Sequence, residues 1–423
     1  MTTTAPGRLR ADPDFRRYWT ARLTSLTGSL VTAVAMPVLV YRISGSPGLT
    51  ALTTTLEALP YLLFGLFSGV VGDRLDRKRV MVGADLANVV VIGTVPLAWW
   101  LGHLTVAHVL VAGFVAQSLF TFFDGANFGA LPVLVGRERV GEANAAIWGV
   151  GGLLDLCVPA GVGLALAVLH PADLLVLDAL TFLVSALLVR SIGRALSTAR
   201  ERAASAGFAV GARSVLADIR DGQRFLWRHA GVRSNTVIGA LQSLAGAGFM
   251  ALAVPWCDRV LGVGTSGWRF GLVFSMWGVG GILAAWLTPR LLRRVGTARL
   301  TLLAIPVSAA AGLVVATTTT WLVAVVAMVG WGVAYQLVVI NSLTYRQQVT
   351  PEHLLSRVNT AGRMLSWGIG WTVGALAAGG LANEWGVRRA MVSVVAVGVL
   401  AAAYAWLSPL RRIAHEPEAA PAT

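Results

Sequence analysis

Apolar runs long enough to cross a bilayer recur from one end of this chain to the other. A helix needs about 20 mostly apolar residues to span the hydrocarbon core. Twelve segments read that way: 20–41, 50–72, 80–101, 107–132, 143–169, 173–192, 232–256, 267–287, 299–317, 321–344, 359–381 and 388–408. Short loops such as Ser44-Gly45-Ser46-Pro47-Gly48 and Gly136-Arg137-Glu138 punctuate them. Charged residues make up 13% of the chain, against about 25% in a soluble domain. That leaves too little polar surface to cover a water-soluble fold. The expected class is an all-α membrane protein, with twelve transmembrane helices in two six-helix bundles. Arg16-Arg17 before an apolar run could be misread as a secretory signal, but the run continues to Tyr41 and eleven more follow. The first helix is read as uncleaved.

The formal net charge of +14 does not form one basic face, so nucleic acid is not the expected partner. The basic residues alternate between loops instead. With the N-terminus placed inside, 27 of the 34 fall in cytoplasmic segments and 5 in outer loops. The positive-inside rule then puts both termini in the cytoplasm of a bacterial cell, in its cytoplasmic membrane. The longest polar stretch, 193–230, separates an N-terminal bundle (1–192) from a C-terminal bundle (231–410). Ala209–Trp227 within it has amphipathic spacing and is expected to lie on the inner membrane surface. The tail 411–423 is expected to be disordered. Gly72–Arg79 and Leu287–Arg294 match weakly at an offset near 215 residues, as do Val135-x-x-Glu138 and Val349-x-x-Glu352. Recurrence at nearly one offset fits a duplicated 6+6 transporter.

Four stretches carry a family resemblance. They are Phe15-Arg16-x-x-Trp19-x-x-Arg22-x-x-Ser25-x-x-Gly28; Pro37–Tyr41 through Gly45-Ser46-Pro47 to Ala58-Leu59-Pro60; Gly69-x-x-x-Asp73-Arg74-x-x-Arg77-Lys78-Arg79; and Arg346-Gln347-x-Val349-x-Pro351. The chain resembles a major facilitator superfamily transporter, of the branch that holds macrolide-efflux and enterobactin-exporter proteins. The resemblance implies export of a drug or metabolite driven by protons. The segment 143–169 also resembles the antiporter signature, through Gly149-x-Gly151-Gly152 and Pro159-x-Gly161-x-Gly163. Val158 departs from it, standing where a glycine precedes the proline.

Four acids lie inside apolar segments: Glu57, Asp85, Asp155 and Asp178. A charge in hydrocarbon costs roughly 3 kcal/mol or more, so each should face water, a partner or the bundle interior. In the resembled fold the third and sixth helices are peripheral, which leaves Glu57 and Asp155 as the proton-coupling candidates. Gly69, Asp73, Arg74, Arg77 and Lys78 of the loop signature, with Asp124, are the candidate gating network. A carboxylate such as Asp73 suits a helix N-terminus, and the family's Asp meets the helix that starts near Asn359. Trp331 with Tyr335, and Trp367 with Trp371, are each four apart and share a helix face. They are read as lining a substrate cavity for a bulky, partly apolar ligand, with Arg22 and Arg363 as cationic members.

Cys157 and Cys257 have no paired Cys/His spacing around them, so neither metal nor cofactor is expected. No Walker A loop, Gly-x-Ser-x-Gly or His-Glu-x-x-His occurs, and catalysis is not expected. The leading expectation is a monomeric, proton-coupled antiporter. It would export a small hydrophobic or amphiphilic compound across the lipid bilayer by alternating access. An importer or facilitator on the same fold is the alternative; a membrane-embedded enzyme or interaction protein is the rival from another class.

Overall fold

The computed structural model describes residues 9–197 and 212–413. The expected disordered tail falls almost wholly outside the described residues, as do the middle of the central loop and the Asp73 side chain.

Helices follow one another along the chain. They are α1 (Pro13–Ser44), α2 (Pro47–Arg74), α3 (Arg77–Trp100), α4 (Val106–Val135), α5 (Val140–Ala165) and α6 (Pro171–Ser191). A surface helix α7 (Ala212–Arg228) precedes α8 (Ala230–Arg259), α9 (Gly267–Val295), α10 (Thr297–Thr317), α11 (Trp321–Val349), α12 (Glu352–Arg363), α13 (Trp371–Trp385), α14 (Val387–Leu407) and the short α15 (Leu410–Ile413). Among the described residues, eleven helical spans are long and apolar enough to cross a membrane. With its 28 residues, α2 falls within their range of 21 to 32. Helices are the outcome lipid requires, since each backbone N–H and C=O finds its partner within the segment.

The helices overrun the apolar segments. Thus α1 begins at Pro13 rather than at 20, and α11 runs on to Val349. Their ends are set by local chemistry that hydropathy does not register. Proline opens α1, α2 and α6, where its missing N–H costs nothing. The Asp76 carboxylate accepts the Arg79 N–H at 2.9 Å and caps α3. Gly136 ends α4 at φ +82°, a conformation that a side chain would strain.

Contacts divide the chain into two compact units: Met1–Ser44 with Leu59–Ala209, and Gly45–Ala58 with Val210–Thr423. The division passes through α2. In the first unit α6 packs on α1 and α3, α3 on α4, and α5 on α1. In the second, α14 packs on α8 and α10, α10 on α11, and α13 on α8. The same pairing scheme thus occurs twice, in helices separated by the weak offset seen in sequence.

Small residues make these contacts close, as they must in lipid, which offers little hydrophobic drive for helix association. A Cβ on Gly72 of α2 would lie 2.8 Å from the Gly125 carbonyl oxygen of α4. In the second unit a Cβ on Gly280 of α9 would lie 2.7 Å from the Gly332 Cα of α11.

The amphipathic stretch forms a helix, α7. Its Leu226 is fully buried with Val232, Tyr345, Val358 and Ala361, so α7 packs on α12 and α8. The segment 359–381 lies within one span, Val358–Trp385, whose residues Met364–Gly370 between α12 and α13 are π-helical.

The glycine contacts give a direct test. Gly280→Ala should lower thermal stability in detergent by about 1–3 kcal/mol, the usual cost of overpacking. Gly330→Ala, where a Cβ meets open space, should change it by no more than about 0.5 kcal/mol.

Candidate functional site

The π-helical segment organises the second unit's candidate site. A π turn carries an extra residue per hydrogen-bonded ring, shifts the helix register, and recurs at functional sites. Gly370 lets this strand of the helix settle on α8, where a Cβ would meet the Ala240 carbonyl oxygen at 2.9 Å. The side away from that contact carries Arg363, which is exposed, and Trp367, which is 52% exposed. Trp371 is half-buried, and its ring stacks on Trp367 with centroids 5.4 Å apart and planes 6° from parallel. A stacked, open indole pair offers a flat face to aromatic or aliphatic ligands.

The other predicted pair sits in different surroundings, with Trp331 beside a small cavity lined also by Gln242, Ser308 and Val395. Trp331 is 3% exposed and packs edge-on against Phe249 at 4.9 Å and Trp277 at 5.3 Å. Tyr335 is 7% exposed and lies 5.0 Å from Trp277. A Cβ on Gly246 would be 3.0 Å from the Tyr335 ring, and one on Gly312 would be 2.9 Å from Trp331. These rings fill the space that small residues leave between helices. Spacing of four placed both pairs on a shared face, but it could not say which face was already covered.

In the first unit, Arg22 on α1 is half-buried, with its guanidinium 5.4 Å from the Phe123 ring centroid on α4. Tyr18, a turn earlier, donates its hydroxyl proton to Asn127 Oδ1. Asp124 is half-buried beside the same tyrosine. Arg22, Tyr18, Phe123 and Asp124 are therefore brought together by α1 and α4.

The acids separate into two kinds. Glu57 is half-buried on α2, and among the described residues nothing forms a hydrogen bond or ion pair with it. Asp155 is exposed on α5, one turn from Gly151, where a Cβ would meet Leu26 of α1 at 3.5 Å. Asp85 and Asp178 are each 1% exposed. Both point into the packed interior, because α6 fills the groove between α1 and α3.

The loop signature is tied to its own unit. Arg77 is 4% exposed; its Nε donates to the Gly72 carbonyl oxygen and a terminal nitrogen to that of Gly129, both at 3.0 Å. Lys78 Nζ donates to the Ile192 carbonyl oxygen at 2.6 Å. Gly69 faces open space, and Arg74 is half-buried. Sequence reasoning missed a neighbouring tie. Asp14 accepts the Gly193 and Arg194 N–H groups at 2.9 and 3.0 Å, while Arg194 pairs with Asp12 at 2.7 Å. The signal was present in the paired acids Asp12 and Asp14 ahead of Arg16-Arg17.

Among the described residues, no cluster of His, Cys, Asp and Glu could hold a metal. The repeated helix pairing and the apolar spans among the described residues are those of a duplicated helical membrane fold. A family of major facilitator transporters described as transmembrane secretion effector matches residues 2–420, and the chain belongs to it; it is a membrane transporter, not an enzyme. It is 25% identical to macrolide efflux protein A of Streptococcus pyogenes over 175 residues, 41% of this chain and 43% of that one. It is 28% identical over 206 residues to multidrug efflux pump Tap of Mycobacterium tuberculosis, 46% of this chain and 49% of that one. These matches therefore span less than half the length of each relative. Among solved structures, the nucleoside transporter NupG superposes with a TM-score of 0.71 at 11% identity, over 92% of this chain and 98% of that one. A bacterial homologue of the iron transporter ferroportin, inward-facing, gives 0.71 at 14% identity, over 97% and 100%. These likenesses show the fold.

The two tryptophan environments predict opposite phenotypes. Trp331→Ala should cost about 3–5 kcal/mol of stability, as for a buried aromatic in a core. Trp367→Ala should leave stability within about 0.5 kcal/mol. Thermal denaturation of the purified variants in detergent measures both.

Proposed function

We propose that this chain is a proton-coupled exporter of a small hydrophobic or amphiphilic compound, acting as an antiporter by alternating access. The observation that carries the reading is a pair of carboxyl groups inside membrane helices, Glu57 and Asp155, with no ion pair among the described residues. An acid so placed is costly unless it exchanges a proton or meets a ligand. The similarity to efflux proteins supports the outward direction, and the open Trp367–Trp371 stack supports a partly apolar substrate. Arg363 and Arg22 supply positive charge for a polar group on that substrate.

In this reading the protein works as a monomer in the bacterial cytoplasmic membrane, with both termini in the cytoplasm. Glu57 takes a proton from outside in the outward-open state and releases it inward as the conformation changes; Asp155 assists. The ligand and the proton each shift the population of two states, and neither needs ATP. Asp73, Arg74, Arg77, Lys78 and Asp124, pivoting near Gly69, hold the cytoplasmic side closed when the outer side opens.

Glu57→Gln keeps shape and hydrogen bonding but cannot ionise. It should abolish uphill export in proteoliposomes while equilibrium binding of substrate persists, with Asp155→Asn less severe. Wild-type uphill flux in Glu57→Gln would remove Glu57 as the carrier. Asp73→Asn should reach the membrane at normal levels and lose most transport in a whole-cell accumulation assay. Full activity would reduce the loop to a topology anchor.

A further inference from the structure

A polar layer that neither Glu57 nor Asp155 touches is sealed inside the first unit, where α3 and α6 meet beside α1. Asp85 and Asn88 are one turn apart on α3. Asp178, Thr181 and Ser185 follow one face of α6. Asp85, Asp178 and Asn88 are each 1% exposed and Ser185 is fully buried.

The two carboxyl groups are treated differently by their surroundings. Thr32 of α1 donates its hydroxyl proton to Asp178 Oδ2, and Thr181 Oγ1 lies 3.2 Å from Oδ1. Gly28 makes room for this arrangement, since a Cβ there would strike Asp178 and Thr181. Asp178 thus accepts from Thr32 at Oδ2, while the Thr181 hydroxyl is shared between Oδ1 and the Asp178 carbonyl oxygen, which it reaches at 2.8 Å. Among the described residues, Asp85 Oδ2 and Asn88 Oδ1 accept no hydrogen bond, and the Ser185 hydroxyl, which lies beside Asp85, makes none of normal geometry. The charged groups that face Asp85 are Asp178 from α6 and Arg22 from α1, with Ser185 beside it. Arg22 is engaged over Phe123. From α4, packed on the other side of α3, His108 is held 2.8 Å from Thr94 and Asp124 lies beside Tyr18.

An orphaned buried acceptor costs about 1–3 kcal/mol, more if charged. Two neighbouring buried carboxylates also oppose each other's ionisation. One proton relieves both penalties: it neutralises Asp85, and it gives the site a donor for a neighbouring orphan, Asn88 Oδ1 or Ser185 Oγ.

We propose that Asp85 is a proton-binding site, enclosed by Asp178, Asn88 and Ser185 within the first unit and separate from Glu57 and Asp155. The proton enters as a proton, onto Asp85 Oδ2, and leaves the same way; no other bond is made or broken. Its part in flux rests on the exporter reading above, but the proton site does not. The oxygen lining would also suit a sodium ion, yet one proton satisfies the orphans without further ligands.

The test uses the full chain in proteoliposomes without substrate. Dicyclohexylcarbodiimide modifies protonated carboxyls in apolar surroundings, and mass spectrometry locates the adduct. Asp85 should be modified several-fold faster at about pH 6 than at about pH 9, with the same rate in sodium and choline chloride. Infrared spectra should show a protonated-carboxyl band that Asp85→Asn loses and that Asp178→Asn and Glu57→Gln keep. If Asp85→Asn fails to fold, adduct mapping on the wild type alone decides. No adduct at Asp85 at either pH would overturn the proposal. Protection by sodium would overturn it in favour of a cation site. An Asp85 adduct together with wild-type uphill flux in Glu57→Gln would keep this site and remove the Glu57 carrier.

Discussion

Hydrocarbon offers no hydrogen bonds, and that constraint organises everything else in this molecule. Each span satisfies its backbone within its own helix, so helices are forced, and they then have little hydrophobic reason to associate. Association falls to close packing. Gly72 against Gly125 and Gly280 against Gly332 bring backbones nearly into contact. Each unit uses such a close glycine contact, at a different place along its helices.

The same constraint makes polar side chains informative. A hydroxyl in lipid can turn back to its own helix, as Thr50, Thr53 and Thr55 of α2 do by donating to carbonyl oxygens a turn earlier. A carboxylate has no such option. Asp178 accepts from Thr32 and shares the Thr181 hydroxyl with its own carbonyl oxygen, whereas Glu57 and Asp155 are left with no such match among the described residues. Positive charge follows the same logic: Arg77 and Lys78 spend their donors on backbone carbonyls, which ties the loop signature to its unit.

Much of the fold was legible because hydropathy, loop charge and one loop motif all report on the bilayer, which acts on every span alike. The helix ends were less so, since Pro13, Asp76 and Gly136 act locally and outside the apolar runs. The site was legible by residue type but not by facing. Trp331 and Trp367 look alike in sequence, each with an aromatic partner four residues on. Only the packing of Phe249 and Trp277 around one, and the register shift of Met364–Gly370 beneath the other, separates a core ring from an open one. The partners of Asp85 and Asp178 were hidden for a related reason: position along a helix does not say which neighbour fills the groove beside it.

The central claim is that a proton gradient drives a partly apolar compound outward through this chain. The most direct measurement is flux of a fluorescent amphiphilic compound in proteoliposomes with an imposed pH gradient and no ATP. The account predicts accumulation against the compound's own gradient, abolished by a protonophore. Accumulation that persists after the pH gradient is dissipated, or equilibration that never goes uphill with the gradient intact, would contradict it.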